Sequence, residues 1–445
     1  MVERQAIVIG GGLAGCEAAW QIARRGLPVA LYEMRSSRTT PAHRTAWLGE
    51  LVCSNSLGSL LPDRAAGLLK EELRLLGSLV LETAERHAVP AGGALAVDRE
   101  GFAREITQRV ESHPRVTVVR QEVRRVPEDG VVVIAAGPLA SEALAEDIAR
   151  LTGSEGIAFY DAMAPIVTEE SVDFAVAFRA SRYGRGDDYI NCPLTEGQYD
   201  AFVAELAQAE TTPLRDFEQE DRRFFEACLP VEVMARRGRL VLAYGPLRPV
   251  GLIDPRTGQR PFAVVQLRQD DAAGTLYNLV GFQTNLRYGE QERVFRMIPG
   301  LERAQFVRYG QMHRNTFIDS PRLLAPSFEY RGRRGLYFAG QITGTEGYMA
   351  STAGGLVAGL NAARALLGLG PLIFPVGTMI GALSRYISNQ STGRFQPMKP
   401  NFGLLPPLSG KIPRRERYRA YSARALATLH RFAERLDLLP PEANA

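Results

Sequence analysis

The chain has almost no lysine. Lys70, Lys399 and Lys411 are the only three among 53 basic residues in a chain of 445. Arginine therefore carries nearly all positive charge, and no single arginine-rich patch is diagnostic. Cysteine is scarce too: Cys16, Cys53, Cys192 and Cys228 show no Cys-x-x-Cys and no metal-ligand spacing. That excludes a disulfide scaffold and gives no metal site. A cytoplasmic protein with free thiols is expected. No apolar run is long enough to cross a bilayer, so no membrane partner is expected. The first strand starts at Ala6, which leaves no room for a signal peptide ahead of it. There is no internal repeat and no low-complexity segment. Charged residues at 23% and apolar residues at 45% fit an ordinary folded protein, and the length fits two or three domains.

The most informative stretch is the first 33 residues. An apolar strand, Ala6 to Ile9, delivers Gly10-Gly11-Gly12-Leu13-Ala14-Gly15 to a helix, and a second strand ends on Glu33. This is the dinucleotide-binding pattern. Gly10 permits the tight turn, Gly12 lets a pyrophosphate approach the backbone, and Gly15 lets helix and strand pack closely. The helix N-terminus offers free N–H groups to phosphate. Glu33 is placed to bind a ribose hydroxyl and disfavours a phosphate there.

The pattern continues as an α/β chain. Residues 36–62 read as a loop or short helix over the nucleotide site. Residues 63–88 read as one amphipathic helix, Phe102 to Glu111 as another, and Val116 to Val119 and Val131 to Ile134 as further parallel strands. From about 160 to 325 short strands (Phe174 to Phe178, Leu240 to Ala243, Phe262 to Leu267, Leu276 to Leu279) mix with helices (Glu196 to Ala209, Arg222 to Ala227). This predicts an inserted, mostly antiparallel unit. The nucleotide fold resumes at Gly335 to Gly340, followed by Gln341 and a small-residue helix over 350–367. Such a late strand–glycine–helix return suits FAD, because the helix N-terminus can face the flavin ring. The fold class is therefore a Rossmann-type FAD-binding domain, glutathione-reductase-like, with an inserted α+β domain. The expected division is 1–160 and 326–370 for FAD, 161–325 for substrate, and 371–445 as a basic helical extension packed on the FAD domain.

Net charge is only +4, yet residues 385–424 hold nine basic residues against one acid, Glu416. Tyr386, Phe395, Phe402, Tyr418 and Tyr421 are interleaved with them. Concentrated positive charge with aromatics suits a polyanion such as RNA, and a solvated tail helix is the plainer alternative.

Taken together, several segments resemble the folate- and FAD-dependent tRNA (uracil-54-C5)-methyltransferase family. They are Gly10 to Gly15, Glu50 to Leu57, Pro90 to Arg99, Tyr189 to Leu194, Ala227 to Ala235, Gly310 to Asn315 and Gly340 to Gly344, in order from end to end. The resemblance implies FAD as cofactor, with 5,10-methylenetetrahydrofolate and NAD(P)H as co-substrates. It implies the tRNA T-loop as partner and methylation at uridine 54; no stable protein partner is inferred. Cys228 and Cys53 match the family's two functional cysteines. A thiolate must add to uracil C6 before C5 can attack a one-carbon unit, and a base must then remove the C5 proton. Cys228 is assigned as nucleophile, with Arg236 and Arg237 near it in sequence, and Cys53 as base; the two roles are exchangeable. A small buried hydrophobe is the plainer reading of either residue alone, and it is the one given to Cys16 and Cys192. The resemblance places His313 against the pterin, with Arg287 or Arg314 near the folate carboxylates. No second Gly-x-Gly-x-x-Gly offers NAD(P)H a domain of its own. The competing readings are a flavin oxidoreductase of small molecules and a redox-sensing RNA-binding flavoprotein.

Overall fold

The computed structural model describes residues 5–40, 42–153, 157–212, 229–389, 395–410 and 412–439, with backbone alone at 157–162 and 312–316. A five-stranded sheet lies at its centre. Its order is Leu336–Phe338, Val131–Ile134, Ala6–Ile9, Val29–Tyr32, Val116–Val119, and every pairing is parallel. These strands are near-continuous apolar runs because helices cover both faces. Helix Leu13–Ala23 is buried over almost its whole length, since helix Tyr348–Leu366 packs along it. The contact is backbone-close: a Cβ on Gly355 would stand 2.2 Å from Ala14 O.

A second sheet is antiparallel, in the order Phe178–Arg179, Tyr189–Leu194, Ala263–Gln269, Leu276–Leu279, Ile166–Thr168, Phe306–Arg308. It has its own apolar core, built with helices Glu196–Gln208, Val231–Arg236 and Tyr288–Phe295. The chain enters and leaves it through two paired antiparallel strands, Ile157–Ala162 and Met312–Phe317. Helices Met379–Ser388 and Arg417–Arg435 instead join the core of the first sheet. They pack on helix Ala65–Leu75, whose buried Glu72 accepts the N–H groups of Met379 and Ile380 at 2.6 and 2.8 Å.

Local expectations fail at three places, each for a visible reason. The helix expected over 63–88 is two, Ala65–Leu75 and Leu79–Arg86. Gly77 sits at φ +67° between them, and Ser78 caps the second through Leu81 N–H at 3.3 Å. Leu240 to Ala243 is not a strand; Val241–Tyr244 forms one helical turn, and so short an apolar run has no diagnostic period. Phe174 to Phe178 is extended only from Phe178, because Asp173 folds the stretch before it into a turn. Its carboxylate accepts Ala175 N–H at 2.8 Å and its carbonyl accepts Ala177 N–H at 2.9 Å. The helix expected at Arg222 to Ala227 lies outside the described residues.

Candidate active site

The glycine turn sits where the first strand meets the first helix. Gly10 adopts φ +105°. A Cβ on Gly15 would strike Gly10 O at 1.8 Å, whereas a Cβ on Gly12 would meet nothing within 4 Å. Gly12 is also the helix N-cap and has no side-chain cap, so the first N–H groups face open space. This is a cradle of the kind a pyrophosphate fills. The cleft, about 1010 Å³, is lined by Gly10, Gly11, Gly12, Leu13, Ala14 and Glu33 on one side. Gly340, Gln341, Tyr348 and Ser351 line the other. The first turn of helix Tyr348–Leu366 thus faces the cleft.

Glu33 is more occupied than its sequence position suggests. Its carboxylate accepts Gly11 N–H at 2.8 Å and three donors of Arg35, the backbone N–H, Nε and Nη2, at 2.8, 2.9 and 3.0 Å. These hydrogen bonds and the guanidinium hold it below the usual carboxylate range, although burial opposes them. Four donors fill the lone-pair positions of a carboxylate, so a ribose hydroxyl reaching Glu33 must exchange with one of them. Arg35, which has no motif to announce it, is therefore part of this end of the cleft.

A second cavity, about 1300 Å³, adjoins the first and shares Val52, Pro138, Leu139, Gln341 and Tyr348 with it. Cys53 lies in its wall, beside Met163, Gln283, Glu346 and Lys399. Tyr348 Oη accepts the Cys53 N–H at 2.8 Å, which joins the thiol loop to the helix that faces the cleft. Lys399 arrives from the basic C-terminal segment, because Met398 exchanges backbone hydrogen bonds with Gly344 and Glu346 at 2.8 and 2.9 Å.

Cys228 lies outside the described residues. The chain just after it is anchored at the Cys53 cavity: Val231 N–H donates to Gln283 O at 2.7 Å. The buried Glu232 accepts from Thr284 Oγ1 and Asn285 N–H, both at 2.8 Å. His313 is on strand Met312–Phe317, but its side chain and that of Arg314 are outside the described set. Cys16 and Cys192 are buried in the two cores; burial pushes the Cys16 thiol up to about 12 and raises Cys192 further. Two arginines singled out from sequence are engaged elsewhere. Arg236 Nε donates to Ala207 O at 2.8 Å, and Arg287 pairs with Glu210 at 2.6 Å. Among the described residues, Arg385, Arg414, Arg415, Arg417 and Arg419 are exposed and carry no ion pair. The aromatic rings there stack on each other, Phe402 on Tyr418 at 4.9 Å and on Tyr421 at 5.7 Å, and so serve packing first.

The parallel sheet, glycine turn and late helix define a Rossmann-type FAD-binding fold carrying an inserted α+β unit. A family model described as glucose inhibited division protein A matches residues 5–370. A protein of Thermosynechococcus vestitus is 60% identical over 433 residues, 97% of this chain and 95% of its own length. One of Symbiobacterium thermophilum is 61% identical over 437 residues, 97% and 98% of the two chains. Both are named methylenetetrahydrofolate–tRNA-(uracil-5-)-methyltransferase TrmFO. The solved structure of Aquifex aeolicus GidA matches with a TM-score of 0.73 at 18% identity, over 99% of this chain and 74% of that one, a likeness of fold. The chain belongs to the glucose inhibited division protein A family and, within it, to the folate-dependent tRNA (uracil-5-)-methyltransferases.

Proposed function

We propose that this protein methylates C5 of a uracil in tRNA, at position 54 of the T-loop. The proposal takes 5,10-methylenetetrahydrofolate as carbon donor and NAD(P)H as the source of electrons. The observation that carries it is the placement of Cys53 in the wall of a cavity that shares five lining residues with the dinucleotide cleft. On this reading reacting thiol and redox cofactor are neighbours.

The residues fit FAD. Gly10 to Gly15 and the bare N-terminus of helix Leu13–Ala23 would hold its pyrophosphate, and Glu33 with Arg35 would meet the ribose end. Gly340, Gln341 and the first turn of the Tyr348 helix would face the ring. When bound, FAD supplies the redox chemistry that turns a methylene into a methyl group.

The chain's own work is on the base. Uracil C5 becomes nucleophilic only after a thiolate adds to C6. We assign that thiolate to Cys228 and removal of the C5 proton to Cys53. The link from Val231 to Gln283 supports this, since three peptide units span at most about 11 Å. His313 is assigned to the folate because its strand follows Gln311, whose carbonyl accepts the N–H of the cavity residue Met163 at 2.7 Å. The target uracil is stacked inside the T-loop and must leave the stack to reach such a cavity. Lys399 and the unpaired arginines beyond it suit the tRNA backbone. Among the described residues no helix is long and apolar enough to cross a membrane, and the cytoplasm, where tRNA is found, is the proposed location.

The test is to incubate the flavin-loaded protein with unmodified tRNA, methylenetetrahydrofolate and NADH or NADPH, then digest the RNA. 5-Methyluridine at position 54 is expected. A fully flavinated protein that makes none overturns the proposal. A Cys228→Ala protein that still forms a covalent adduct with 5-fluorouridine tRNA overturns the assignment of the nucleophile.

A further inference from the structure

Five consecutive residues, Leu51 to Asn55, each accept a hydrogen bond from one of three buried or nearly buried guanidiniums. Arg99 donates to Leu51 O at 2.7 Å and to Cys53 O at 3.1 Å. Arg308 donates to Val52 O at 2.6 Å. Arg268 donates to Ser54 Oγ at 2.7 Å and to Asn55 Oδ1 at 3.0 Å. Arg99 opens the helix Arg99–Ser112, whereas the other two come from the second sheet. There the register sets Arg268 opposite Asn278, Asn278 opposite Ile166, and Ile166 opposite Arg308. Opposed residues project from the same face; the register shifts beside Arg308, and Arg268 and Arg308, at the two ends of this row, both reach the loop.

The charge of this row is not balanced locally. Among the described residues, Asp270, bound to Arg99 at 2.7 Å, is the only carboxylate hydrogen-bonded to any of the three. Arg268 and Arg308 are 7% and 6% exposed, and among the described residues Arg308 Nε has no hydrogen-bond partner. Neutral amides could hold a loop by its carbonyls, and burying a cation without a counter-charge is costly. The surplus charge therefore points to an anion at the loop. Arg99 and Arg268 are close enough to the Cys53 thiol to interact with it electrostatically. We propose that Arg99, Arg268 and Arg308 form a clamp that fixes the Cys53 loop, in which Arg99 and Arg268 favour Cys53 as a thiolate. They are positioning residues that act through Cys53. This rests on the reading of Cys53 as a reacting thiol. The other charged or titratable groups facing the loop or its clamp are Glu346, Lys399 and Tyr348 in the cavity wall, Tyr189 beside Arg268, and Arg44 beyond Arg308.

The clamp is tested on the thiol itself in the flavin-loaded protein, by timing iodoacetamide alkylation of Cys53 with peptide mass spectrometry across pH. Arg268→Gln, which retains donors but no charge, is expected to slow alkylation at pH 7 about tenfold, as a rise of about one pKa unit would. Arg268→Lys should keep the parental pH midpoint, because it keeps the charge. If Arg268→Gln fails to fold or to hold flavin, Arg99→Gln serves instead, and its midpoint should also rise. A parental midpoint in a folded, flavin-loaded Arg268→Gln or Arg99→Gln protein overturns the clamp. That result leaves the 5-methyluridine assay untouched, and a failed assay leaves the thiol titration untouched, so the two proposals fall separately.

Discussion

In the dinucleotide cleft the backbone does the positioning, whereas around Cys53 buried side chains do it. Gly10, Gly12 and Gly15 act by lacking a side chain, and their neighbours in sequence supply the strand and the helix. The Leu51–Asn55 loop is instead held by guanidiniums 44 or more residues away in the chain. A backbone device tolerates no added atom, whereas a side-chain device tolerates lost atoms at a measurable cost. The two regions should therefore fail differently.

The largest effect is expected in the cleft. Gly15→Val places a Cβ 1.8 Å from a backbone oxygen, which no rotamer relieves. The expected result is a stability loss above about 4 kcal/mol with loss of bound flavin, read as the thermal midpoint and as flavin absorbance per chain. Retained flavin at parental stability would erase the contrast.

Arg99→Met tests the other side. It removes the cation hydrogen-bonded to the buried Asp270 and leaves only the more distant Arg268 and Arg308 to offset that charge, at a cost of about 3 kcal/mol. Urea unfolding should show that loss, while chains that remain folded keep their flavin. Flavin lost in parallel with folding stability would mean that the two regions are one cooperative device.

The same contrast decides what could be read in advance. The parallel sheet, the glycine turn, Glu33 and the late Gly340–Gln341 return are local patterns with fixed periods and spacings, and each is found at its expected place. Cys53 was legible as a candidate only through the extended match Glu50 to Leu57. Of its three arginines, Arg99 closes the matching stretch Pro90 to Arg99 but carried no role there, whereas Arg268 and Arg308 stand unmarked among dozens of arginines; all three gain meaning only when three elements converge. Arg35 was hidden in the same way, although its position two residues after Glu33 was a usable signal. Local competition misled elsewhere: the glycine and serine cap at 77–78 splits an otherwise helical period, and Asp173 folds a stretch rich enough in Phe, Val and Ala to read as strand.

Glu72 combines both modes, a side chain that holds backbone at the start of helix Met379–Ser388. Its acceptance of two N–H groups favours the carboxylate, but burial outweighs this and raises its pKa from 4.5 to about 7. The folded chain then binds more protons than the unfolded chain between those values. The contribution of Glu72 to stability is fully present below pH 4.5 and is lost as pH rises through about 7, by up to roughly 3 kcal/mol. Glu72→Gln should abolish that slope, as read from urea midpoints at successive pH values. An unchanged slope would show that helix capping, rather than burial, governs this carboxyl.

The smallest effects belong to the exposed arginines near the C-terminus, which neither device holds. Substituting Arg414 and Arg415 with Ala should leave the fold, the flavin and Cys53 alkylation at parental values, because both are exposed and neither pairs with an acid among the described residues. Their contribution is expected only in tRNA binding, and only through charge. Each lost phosphate contact lowers the slope of log affinity against log salt by about 0.7–0.9, so the double variant should lose about 1.4–1.8 and converge on the parent at high salt. The neighbouring Tyr418→Ala should act by another route, since its ring packs on Phe402 and its loss disturbs the helix rather than a phosphate contact. An affinity loss in that variant with an unchanged salt slope would separate packing from charge. An unchanged slope in the double arginine variant would place the tRNA on another face and leave the segment's part in the site to Lys399 and Pro400, which line the Cys53 cavity.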